Sequence, residues 1–91
     1  IETVSIHFKI IAGTTKTGQL DDAVTYFDKA LNIDPHDTNI LNNLGITYAD
    51  FNQEGDAVRS YEKAIKIKPD FMEVYLNLGK AFQAQGNFDF A

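Results

Sequence analysis

The chain matches itself at an offset of 34 residues. Ala23, Ala57 and Ala91 fall in register, as do Pro35 with Pro69, Ala30 with Ala64, Ile33 with Ile67, Leu44 with Leu78 and Gly45 with Gly79. Aromatic positions follow the same rule, Phe27 with Tyr61 and Tyr48 with Phe82. A period in the range of about 20–50 residues constrains the fold strongly, because each copy is then one supersecondary unit that buries its apolar face only against its neighbours.

Within the period, apolar residues at Ile40, Leu41, Leu44, Tyr48 and Phe51 follow the three-and-four spacing of an amphipathic helix. A second helix follows with Ala57, Val58, Tyr61, Ala64, Ile65 and Ile67. It stops before Pro69, which pushes the preceding residue out of helical geometry. The cycle then restarts, with Asp70 expected as an N-cap and Glu73 as its capping-box partner. Each unit reads as a helical hairpin.

These residues resemble the tetratricopeptide repeat, whose pattern runs from a Trp-like position through Leu-Gly and Tyr to Ala, an aromatic and a closing Pro. Leu41, Leu44, Gly45, Tyr48, Ala57, Tyr61 and Pro69 fill it once. Ala23, Phe27, Ala30 and Pro35 complete an earlier copy, and Tyr75, Leu78, Gly79, Phe82 and Ala91 begin a later one. The resemblance implies an all-α fold of antiparallel helical hairpins stacked as a right-handed superhelical solenoid. One domain is expected over residues 1–91, with repeats over 4–37, 38–71 and 72–91, the third cut short in its second helix. It also implies that Gly45 and Gly79 sit where the two helices of a hairpin approach most closely, which would explain a mid-helix glycine that otherwise costs about 1 kcal/mol. The first copy departs from the pattern, with His7, Ile11 and Thr14 at its Trp-like, glycine and aromatic positions.

Ninety-one residues suffice for one small domain, and 44% hydrophobic against 23% charged residues is the balance of a chain that folds. Eight basic against thirteen acidic residues give a net charge of −5, with the lysines scattered rather than clustered, so nucleic acid is not expected as a partner. The absence of cysteine excludes disulfides and thiolate metal sites and fits a cytoplasmic setting without requiring one. There is no Asn-x-Ser/Thr sequon, no signal-peptide pattern and no apolar run of membrane-spanning length. A first residue of Ile suggests a piece of a longer protein.

One segment invites a catalytic reading. "FKIIAGTTKTGQLDDA", Phe8 to Ala23, places a β-branched run before Gly13 and Gly18, much like a phosphate-binding loop. That loop needs Lys and then Ser or Thr after the second glycine, to reach the phosphates and magnesium. Gln19 and Leu20 stand there instead, and Gly18 reads better as a hairpin turn, equivalent to Asn52 and Gly86. Gly13 has no such explanation. His7 and His36 lack companions at metal-ligand spacing. Asp21 and Asp22 suit the first turn of a helix, where acids complement its dipole. No catalytic residue, cofactor site or metal site is expected, and the chain is not expected to be an enzyme.

Recognition remains. In the resembled family the first helices line a concave groove, and its groove positions map onto Phe8, Lys9, Asn39, Asn42, Asn43, Ile46, Asp50, Glu73, Leu76, Asn77 and Lys80. Asn43 and Asn77 are 34 apart and are expected to align as an amide ladder able to hold a peptide backbone. A clamp for a C-terminal carboxylate is not expected, because Phe8, Ala12, Glu73 and Asn77 occupy four of its positions and only Asn43 agrees. The expected function is a non-catalytic module binding a peptide or protein segment. The alternatives are a structural segment that self-associates through the uncovered end of the third repeat, or the non-catalytic arm of a larger enzyme.

Overall fold

A computed structural model describes residues 12–86, with side chains from residue 18 onward. Among the described residues there are four helices and no strand: α1 (Ala12–Ile33), α2 (Thr38–Asp50), α3 (Glu54–Ile67) and α4 (Met72–Gln85). Connections of three or four residues force sequence neighbours to run antiparallel, giving the stacked helical repeat that the 34-residue period predicts. Each helix packs on the next, and α2 also touches α4 across the stack. Residues 4–11 of the expected first repeat, and 87–91 of the third, lie outside the described residues.

Local chemistry sets most helix ends. Asp37 caps α2, its Oδ1 accepting from the backbone N–H of Asn39 at 3.0 Å and of Ile40 at 3.2 Å. The equivalent residue 34 positions on is Phe71, and it is Phe71, without a side-chain cap, that precedes α4. The expectation that Asp70 caps this helix is therefore corrected: it falls one residue short of the capping position. Phe71 is half-buried, and the Lys68 ammonium lies 5.6 Å from its ring centroid. At the end of α3 the Lys68 N–H still reaches the Ala64 carbonyl at 2.8 Å before Pro69 ends the helix.

Two of the three expected turn positions adopt left-handed backbone, Asn52 at φ 64° and Gly86 at φ 79°. Around Asn52 the N–H of Gln53 donates to the Tyr48 carbonyl at 2.8 Å, satisfying a group that the helix end leaves open. Gly18 does not turn. It lies inside α1, which runs unbroken from Ala12 to Ile33. Glycine permits a left-handed turn without compelling one, and in the first repeat Ile11 and Thr14 replace the glycine and aromatic that would draw two helices together. Continuing the helix retains backbone hydrogen bonds that a turn would break.

The core is built where α2, α3 and α4 meet, from Leu41, Ala57, Tyr61, Ala64, Val74 and Ala81. Its tightest point is Gly45. A Cβ built there would overlap the Tyr61 ring, which is only 2% exposed. The close-approach role expected of Gly45 is thus seen directly, with Ala57 and Ala64 one turn either side of Tyr61 keeping the helices near. Gly79, one period further on, has no described residue within 4 Å of a built Cβ. Of two equivalent glycines, one is packed and the other open.

This difference predicts opposite outcomes. Gly45→Leu should lower unfolding free energy by about 1–3 kcal/mol through overpacking. Gly79→Ala should raise it by about 0.5–1 kcal/mol through helix propensity alone. Urea denaturation of the two variants measures both, and equal shifts would contradict the packing difference.

Candidate functional site

α2 and α4 begin one 34-residue period apart and touch, so their contact brings several of the expected groove positions together. Ile46, Ala49 and Asp50 from α2, with Asn77, Lys80, Ala81 and Ala84 from α4, surround a hollow of about 260 Å³. Glu54 and Tyr61 of α3 complete its lining. Small residues on both helices leave the space, since alanine fills little of the gap between helices held apart by larger neighbours.

Four of the expected groove residues therefore converge here: Ile46, Asp50, Asn77 and Lys80. Asn39, Asn43, Glu73 and Leu76 are exposed elsewhere on the same two helices. Asn42 is buried, at 4% exposure, while Phe8 and Lys9 lie outside the described residues. Glu54 and Tyr61 were not foreseen. The signal for Tyr61 was its chemistry: the first repeat carries Phe27 at this position, so the hydroxyl is surplus to core packing.

The asparagines pair differently from the expected ladder. Asn77 Nδ2 donates to Asn42 Oδ1 at 3.0 Å, a contact between residues 35 apart, whereas Asn43 is exposed. The side chain of Thr47 donates to the Asn43 backbone carbonyl at 2.9 Å. Residues one period apart hold the same place in their own helix, but the residues that touch are set by how the two helices lie against each other. The pairing satisfies the buried Asn42 carbonyl and holds the Asn77 side chain at the edge of the hollow.

The hollow carries unbalanced charge. Asp50 is exposed, Glu54 half-buried, and Lys80 exposed. Among the described residues the ion pair formed is that of Arg59 with Asp56, and none of the three charges in the hollow pairs with a described residue. Burial, and then the negative charge of Asp50, push the Tyr61 hydroxyl above its ordinary pKa, so it stays protonated at neutral pH. Among the described residues no group of three metal-ligating side chains is assembled, and no helix is long and apolar enough to cross a membrane. His36 is exposed and lines a separate hollow of about 860 Å³ between α1 and α3, with Leu31, Lys63 and Ile67.

The Asn42–Asn77 pair gives a direct test of this geometry. Asn77→Ala should cost about 1–3 kcal/mol, since it strands a buried carbonyl oxygen. Asn43→Ala should stay within about 0.5 kcal/mol, as an exposed position. Chemical denaturation that ranked the two variants in reverse would contradict the pairing.

A family model described as TPR repeat matches residues 15–50 and again residues 52–86. Each match takes one helix pair, α1 with α2 and then α3 with α4. No curated protein matches the chain at a significant level. Repeats of this kind are in general protein–protein interaction modules and typically non-catalytic. The period, the stacked helices, the glycine under Tyr61 and the two family matches agree, and the chain belongs to the TPR repeat family.

Proposed function

We propose that this chain is a non-catalytic binding module that holds a peptide or protein segment along the face shared by α2 and α4. The observation that carries this reading is the hollow, where apolar Ile46, Ala49 and Ala84 stand beside charged Asp50, Glu54 and Lys80. An apolar floor with a few polar groups is the usual make-up of a recognition site. Its volume of about 260 Å³ suits one or two side chains of a segment lying across it.

The test is to fill the hollow without disturbing the fold. Ala84 is exposed and lines the hollow, so Ala84→Arg should leave the melting temperature within a degree or two while blocking the site. A displayed library of extended peptides should yield binders to the unaltered chain that lose at least tenfold in affinity for the variant. Binders recovered equally by both proteins would overturn the groove reading.

A second reading, self-association, draws support from the outer face of α4. Met72 and Leu76 are 71% and 60% exposed, Tyr75 is 42% exposed, and the Gly79 seat is open. Contiguous apolar surface of this kind favours a second copy of the chain. Gly79→Glu should then weaken association while slightly raising helix stability. Sedimentation showing a strict monomer at millimolar concentration would remove this reading.

A further inference from the structure

Tyr61 presents a problem that packing alone does not resolve. Its residue is 2% exposed and its ring fills the space over Gly45, yet its hydroxyl makes no hydrogen bond with any described residue. A buried hydroxyl without a partner is costly, and phenylalanine would pack the same ring without that cost. The first repeat shows this, carrying Phe27 at the equivalent position. Tyr61 is also one of the residues lining the hollow between α2 and α4, and Asp50 on the same hollow acts electrostatically on its hydroxyl. The hydroxyl thus belongs to a residue that lines the hollow, within electrostatic reach of a carboxylate on the same hollow.

The other polar groups there are mostly acceptors. Asp50 and Glu54 contribute four carboxylate oxygens that form no ion pair with a described residue. Asn77 has one amide hydrogen committed to Asn42, and its Oδ1 forms no hydrogen bond with a described residue. Among the described residues Lys80 supplies the one cation of the lining. Acceptors outnumber donors, so the complementary group is a cation with several N–H donors. The alanines at 49, 81 and 84 leave a small-residue floor on which an aliphatic stem can lie.

We propose that this hollow is a subsite for an arginine side chain of a bound peptide, with the guanidinium held by Asp50 and Glu54 and one further N–H donated to the Tyr61 hydroxyl. The inference rests on the binding-module reading and names what that module selects. Guanidinium is favoured over ammonium because it offers five donors in a rigid plane and is less strongly hydrated, so entry into a half-enclosed site costs it less. Lys80, on the α4 side, suits a backbone carbonyl of the same peptide. The net charge of −5 on the chain steers a basic segment toward it.

The probes are four capped pentapeptides, alike except for a central arginine, lysine, citrulline or glutamate, titrated into the ¹⁵N-labelled 91-residue chain at low salt. Citrulline keeps the shape of arginine and removes its charge. The arginine peptide should bind about tenfold more tightly than the citrulline peptide, with lysine between them and glutamate weakest, and the preference should shrink as salt is added. Shifts should centre on Ala49, Asn77 and Lys80. Asp50→Asn with Glu54→Gln should abolish the preference. Tyr61→Phe should reduce it severalfold without lowering the melting temperature, since the ring remains over Gly45. Equal binding of all four peptides at these residues would overturn the arginine subsite and leave the binding module standing. Failure of all four, together with failure of the displayed library to yield groove binders, would overturn both. An unaltered arginine preference in Tyr61→Phe would remove the tyrosine from the subsite.

Discussion

The structure depends on one close contact, the Tyr61 ring against the bare backbone of Gly45. Mid-helix glycine is intrinsically unfavourable, and only the room it makes for a large ring offsets that loss. Once the ring is seated, Ala57 and Ala64 are brought against the facing helix, and Leu41 and Val74 close the core around them. Tyr61 also lines the hollow between α2 and α4. Fold and candidate site thus share Tyr61, whose ring packs on Gly45 and which also lines the hollow.

Solenoids tolerate local irregularity because each unit contacts only its neighbours. The long α1 is an instance. Its first turns pass straight through Gly18, while the second and third copies turn at Asn52 and Gly86, and the α2–α3–α4 core is complete regardless. Gly18 and Asn52 show that turn chemistry supplies a permissive residue and tertiary packing decides whether it is used. At Asn52 a non-glycine residue accepts left-handed geometry because the chain must reverse for Tyr61 to reach Gly45. At Gly18 no described residue lies within 4 Å of a built Cβ.

Part of the hollow's lining was legible through the family resemblance, which assigns Ile46, Asp50, Asn77 and Lys80 to one face, and these four line a common hollow. Asn42 was placed there too, yet it is buried as the hydrogen-bond partner of Asn77, which a register of 34 cannot reveal because the touching residues are 35 apart. Glu54 has no such sequence signal: it begins α3, and only the turn after Asp50 brings it to the hollow.

The sequence by itself determined the repeat and the helical hairpin. These follow from periodicity, proline and glycine placement and residue size, which are properties of the chain read along its length. Tertiary structure alone decided that Gly45 is packed while Gly79 is open, that Asp37 caps a helix while Asp70 does not, and that Asn77 bonds to Asn42. Equivalent positions in a repeat share a local environment, but they share a three-dimensional one only where the neighbouring helix is also equivalent. Val74 has no exposure because α4 packs on α3, whereas Leu76, two residues on and pointing away from that contact, is 60% exposed.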